Sequence, residues 1–245
     1  MHSLFSCQTP TDDGASRASC SESTAHCRGS EASIRQLTVK ASALDRAPGT
    51  GEDGRVSSFE AAGVLVTVDD ETLREQVSDP PALESWCIQH PEDPRTVAYL
   101  RMLGRLDDAA IAGRRTLEAA GLSPVMRAVR RARYAQVLQW QGAFVAAEEQ
   151  LDLAAEETGL EDPTSSSSLS VLASVFQHRA KCRFEHAQAE HRDGLHEAAA
   201  RRWEAALEDA RRALFMREGI GVADEGVIAS SRQTLARLAR QDLAA

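Results

Sequence analysis

Aromatic residues are scarce in this chain: six Phe, three Trp and two Tyr among 245 residues. A core built from aromatic and β-branched strands is therefore disfavoured, and helices packed closely through Ala and Leu are the alternative. Lysine is scarcer still, with only Lys40 and Lys181 among the 28 basic residues. A basic excess is also missing, because 37 acidic residues leave a net charge of −9. That balance opposes non-specific nucleic-acid binding. The cysteines (Cys7, Cys20, Cys27, Cys87, Cys182) are odd in number and scattered, which describes no disulfide framework and makes a cytoplasmic location the expectation. Long apolar runs are absent too. The longest is Gly63–Val66, or VLVTV with Thr67 admitted, far short of the roughly 20 residues a membrane helix needs. Cys7 follows Leu-Phe-Ser, but no basic and no apolar stretch precedes it to make a lipoprotein signal.

What remains divides into three parts. Residues 1–58 are rich in Ser, Thr, Gly, Asp and Pro, a low-complexity composition that predicts a disordered tail. Residues 59–94 form a lead-in with short helices. There VLVTV has no evident partner strand and reads as irregular or helical, DDETLREQV reads as a helix start stopped by Asp79-Pro80-Pro81, and LESWCIQH reads as a short helix ended by PEDP. From residue 95 to 245 the pattern is regular. Helical runs break at Gly104, Gly142 and Gly194, and each is followed by a second run, ending at Gly121, Gly159 and Gly219, which are read as left-handed helix ends. ADEGVIASSRQTLARLARQ follows as a terminal capping helix without a second partner, with Leu235 and Leu238 inward and Arg232, Gln233, Arg237 and Arg240 wet.

Aligning the three turn glycines shows a recurring register. Five residues beyond each stands Ala109, Ala147 or Ala199; nine beyond, Gly113, Leu151 or Trp203; twelve beyond, Thr116, Ala154 or Ala206. Small residues at the first offset let the second helix press against the first. Phe144 supplies the one turn aromatic. This hairpin grammar resembles the tetratricopeptide repeat, although the turn spacings of 38 and 52 exceed that family's period near 34. The resemblance covers about residues 95–241. It implies an all-α solenoid of antiparallel helical hairpins acting as a non-catalytic protein-binding scaffold, with the first helix of each hairpin lining a concave face.

Candidate chemistry is thin. His178, Cys182, His186 and Glu190 recur every four residues on one helix, so neighbours could share a metal ion. Eight residues nevertheless span about 12 Å, too far for one ion, and a half-buried polar stripe is the preferred reading. His26-Cys27 with Cys7 and Cys20 matches no zinc knuckle, and Trp86-Cys87 reads as core. No nucleophile elbow, phosphate-cradling loop or dinucleotide fingerprint occurs, so the protein reads as a non-enzyme without a cofactor or bound metal.

The arginines carry the functional expectation. Arg127, Arg130, Arg131 and Arg133 crowd a helix without acids, while the next helix holds Glu148, Glu149, Asp152, Glu156 and Glu157. If first helices line a concave face, Arg101, Arg127, Arg131, Arg179 and Arg183 would make it basic and suited to an acidic peptide or to the C-terminus of a partner protein. The competing reading is that they pair with the neighbouring acidic helix. Tyr134 and Trp140 are expected mainly in the core. Self-association is open, and a sensor domain of a transcriptional regulator, lacking its own DNA-binding module, is the alternative function.

Overall fold

The structure, a computed structural model, describes residues 57–160, 165–220 and 224–240; the expected tail over 1–58, with Cys7, Cys20, His26 and Cys27, lies outside the described residues except for Ser57 and Ser58. About 72% of the described residues are helical, in eight helices. These are α1 (Pro80–Gln89), α2 (Thr96–Met102), α3 (Leu106–Leu117), α4 (Pro124–Trp140), α5 (Phe144–Thr158), α6 (Ser166–Arg192), α7 (His196–Ile220) and α8 (Glu225–Ala239). Among the described residues, no helix is long and apolar enough to cross a membrane.

Helices α2/α3, α4/α5 and α6/α7 pack as hairpins across Gly104, Gly142 and Gly194. The three turns are built alike. Each glycine is left-handed, with φ of +75°, +77° and +79°, a region that disfavours a side chain. The following amide reaches back five residues in every case: Arg105 to Leu100, Ala143 to Leu138 and Leu195 to Glu190, at 2.8–2.9 Å. That bond satisfies a carbonyl which the end of the first helix leaves orphaned. Past each turn the small residue is sealed, with Ala109, Ala147 and Ala199 all 0% exposed. Leu151, Ala154 and Ala206 are equally buried, whereas Trp203 and Phe144 pack from partly buried positions. Gly113 lets the Tyr134 ring lie against α3, since a Cβ there would stand 2.6 Å from Cδ2 of the ring.

Several local expectations are corrected. VLVTV is β2 (Val64–Val68), the middle strand of an antiparallel meander with β1 (Ser58–Ala61) and β3 (Glu75–Val77). Its partners are short and lack apolar alternation, and the β1–β2 turn is made by Ala62 and Gly63, both at positive φ. DDETLREQV is a turn entering β3. Asp69 Oδ1 accepts from Thr72 N (2.7 Å), Thr72 Oγ1 (2.8 Å) and Glu71 N (3.1 Å), which coils the backbone locally. Asp79 starts α1, accepting from the Ala82 amide, with the two prolines in the first turn where no amide is required. Gly121 is left-handed as expected, but Gly159 has a right-handed φ of −74° and Gly219 lies within α7.

The terminal helix is partnered. Leu238 is fully buried with Leu73, Ala180 and Phe184, and Leu235 packs beside them. Gln233 and Arg237, expected in water, instead tie α8 to the sheet. Gln233 Nε2 donates to Val68 O at 3.1 Å, and its Oε1 accepts from Ser57 Oγ at 2.5 Å. Arg237, 1% exposed, donates to Glu71 O at 2.9 Å and lies 4.8 Å above the Phe184 ring.

Candidate functional site

The meander and α8 close over the face formed by α2, α4 and α6 and leave a cavity of about 580 Å³. Three helices project cations into its wall: Arg101 from α2, Arg133 from α4 and Lys181 from α6; Arg217 joins them from α7. The carboxylates lining it are Glu60, Glu75 and Asp224, and Gln136, Gln177, His178 and Ser230 add polar groups. Phe59, Val68, Ala98, Met102 and Val227 supply apolar wall. A volume in this range is typical of small-ligand pockets, roughly 300–1,000 Å³.

Glu75 is already committed. Its carboxylate takes both Arg101 Nη atoms, at 2.8 and 3.2 Å, and Arg101 is only 2% exposed. Burial opposes the charge on Glu75, but Arg101 and Lys181 outweigh it and hold the carboxyl well below the usual range. The Nε of Arg101 has no hydrogen-bond partner among the described residues, although Trp140 stacks 4.6 Å from the guanidinium. Lys181 donates to Leu73 O at 3.1 Å, and burial lowers its pKa.

The other two arginines lack a carboxylate among the described residues. Arg217, 6% exposed, donates to neutral oxygens: Gln177 Oε1, Val227 O at 2.8 Å, Ser231 Oγ at 2.6 Å and Ser174 Oγ at 3.2 Å. Desolvation brings its pKa down to about 10, so it stays charged at neutral pH. Arg133 is half-buried, and burial lowers its pKa against the more distant attraction of Asp93. It makes neither a hydrogen bond nor an ion pair with any described residue. His178 lies in the same wall; burial first, and then the Lys181 charge, push it down to about 3, so its ring is neutral.

The arginines expected to act together are dispersed. Arg101 is the single one of the five that reaches the cavity. Arg131 is held by Glu157 at 2.9 Å and Gln150 at 2.9 Å, within its own hairpin. Arg179 and Arg183 do meet, but on Asp209 of α7, which is 1% exposed, and they also take Asp152 and Glu148 of α5. Arg127 is exposed, with no ion pair among the described residues. The local-pairing reading therefore describes Arg131, Arg179 and Arg183. Arg133, Lys181 and Arg217 are site residues that sequence reasoning misses. The arginine crowding on α4 is the available signal for Arg133, and a lone internal lysine is the signal for Lys181.

The four-residue stripe on α6 splits between environments. His178 faces the cavity. The Cys182 thiol is pushed up by burial, contributes to the hydrophobic core and is unsuited to act as a nucleophile. His186 Nδ1 lies 2.7 Å from Glu148 and stacks on Phe144, while Arg202 holds Glu148 and Glu190. Among the described residues, no three His, Cys, Asp or Glu side chains converge to hold a metal ion. No protein-family model, curated protein or solved structure matches this sequence.

Proposed function

We propose that this protein is a non-catalytic binding module, tetratricopeptide-like in its hairpins, that receives an acidic part of a protein partner at its inner helical face. The observation carrying this reading is the cavity that gathers Arg101, Arg133, Lys181 and Arg217 while its one deeply paired carboxylate, Glu75, is spent on Arg101. Burying cations without counter-ions is unfavourable, and an incoming carboxylate relieves that cost with charge-assisted hydrogen bonds. A molecule with a net charge of −9 gains selectivity from such an arrangement, because its outer surface repels the acidic ligand that its interior accepts.

The test uses the full-length protein and fluorescent dodecapeptide pools enriched in Asp and Glu or in Lys and Arg, read by anisotropy. The acidic pool is expected to bind wild type, to be lost with Arg133→Glu, and to be kept with Arg127→Glu, an exposed site outside the cavity. Acidic-pool binding that survives Arg133→Glu, or equal binding of the basic pool, contradicts the reading.

A further inference from the structure

We infer, beyond the reading above, that Lys181 is a covalent capture site for a small oxo acid, its amine forming an imine with the carbonyl carbon while Arg133 takes the carboxylate. Basic residues in this chain are almost all arginine. Of its two lysines, Lys40 and Lys181, the one within the described residues stands in the cavity wall. An arginine there would carry a permanent charge, whereas a lysine can give up its proton and attack a carbonyl carbon.

The surroundings of the amine favour its uncharged form. Lys181 is 8% exposed; its Nζ donates to a neutral oxygen, Leu73 O, at 3.1 Å and forms no ion pair with any described residue. Glu75, the carboxylate of the same wall, has both oxygens on Arg101. Burial is the main force lowering the Lys181 pKa; Arg101 and Arg217 act the same way, against the attraction of Glu75 and Glu185. A desolvated lysine beside another cationic group is the setting that activates an amine toward carbonyl groups. Glu60 and Asp224 are exposed at the mouth while Lys181 and Arg217 are buried, so solvent weakens the pull of those two acids on the amine.

The same wall holds groups for both ends of the ligand. His178 lies three residues before Lys181 on one face of α6, and no described residue hydrogen-bonds its ring. That ring is neutral, and a neutral imidazole polarises a carbonyl without adding charge. Arg133, half-buried and unpaired among the described residues, matches a carboxylate with its planar fork. A cavity of about 580 Å³ is in the range that takes a small organic acid. In the step itself, the Nζ lone pair bonds to the carbonyl carbon as the C=O π pair moves to oxygen. A proton passes from nitrogen to that oxygen, and water leaves as the C=N bond forms. One amine and one carbonyl give one imine and one water, with no change of oxidation state.

The experiment adds glyoxylate or acetaldehyde to the full-length protein with cyanoborohydride, which reduces an imine to a stable secondary amine. Peptide mapping by mass spectrometry reads the adduct on Lys181, and Nα-acetyllysine in the same solution gives the rate of an ordinary amine. Each unit by which a lysine pKa falls raises its free-amine share about tenfold, so Lys181 is expected to react with glyoxylate about tenfold or more faster than that reference. The gain with acetaldehyde, which has no carboxylate, should be smaller. Arg133→Gln should bring glyoxylate down to the acetaldehyde level with circular dichroism unchanged, and Arg127→Gln should not. A Lys181 rate at or below the reference overturns the inference and leaves the acidic-partner reading to its own titration. A gain equal for the two carbonyl compounds, or one for glyoxylate that persists in Arg133→Gln, overturns the oxo acid as ligand.

Discussion

Gly113 shows how little room the first hairpin leaves. Any Cβ at this position meets the Tyr134 ring at 2.6 Å, so Gly113→Ala must push α3 off α4 or turn the ring. Overpacking of this kind costs about 1–3 kcal/mol. A lowered urea midpoint at unchanged slope is the expected result, and an unchanged midpoint would show that the ring swings aside. Glu75 makes a different demand, because it is stable in the fold only as an anion. Its folded pKa lies below its unfolded value, so its contribution is present above about pH 4.5 and is lost as pH falls. His178 acts in the same direction. Its folded value near 3 lies below 6.5, so the unfolded state gains a proton first as the solution is acidified. Stability should therefore decline from about pH 6.5 downward. Glu75→Gln should flatten the lower part of that decline and, by stranding Arg101, cost about 3–5 kcal/mol at neutral pH. A Glu75→Gln profile parallel to wild type would contradict this account of the pair.

Asp209 anchors a polar joint that reaches from the α6/α7 hairpin to its neighbour, its two oxygens taking Arg179 and Arg183 at 2.7–2.8 Å. Those guanidiniums also hold Asp152 and Glu148, so one buried carboxylate links α6 and α7 to α5. Asp209→Asn is expected to cost about 3–5 kcal/mol in denaturant unfolding, and a loss below about 1 kcal/mol would show that Asp152 and Glu148 suffice. This joint also explains what the sequence can and cannot disclose. The hairpins are legible because a left-handed glycine and a sealed alanine are local requirements, repeated at Gly104/Ala109, Gly142/Ala147 and Gly194/Ala199. The direction in which an arginine points on a helix is not local. Arg179 and Arg183 turn toward an acid thirty and twenty-six residues away, and nothing in their own segment announces it. The sheet is hidden for a related reason: Ser58–Ala61 and Glu75–Val77 are too short and polar to read as strands apart from β2.

At the scale of the whole molecule, the first and last described segments meet. Leu73, held at a φ of +57°, inserts among Ala180, Phe184 and Leu238, and Gln233 and Arg237 bind the meander from the other side. The face formed by α2, α4 and α6 is thereby covered, and its cations line a cavity with β1 and the start of α8 at its margin. The cavity's cationic character follows from α2, α4, α6 and α7 together, which is why the arginines of any one helix describe it incompletely. The most direct measurement is amide hydrogen exchange on the full-length protein, with and without a saturating acidic peptide taken from the pools. The account predicts slowed exchange at residues 58–60 and 226–230, with none gained on the α5–α7 surface around Glu148 and Arg202. Protection confined to that outer surface, with β1 and α8 unchanged, would contradict it.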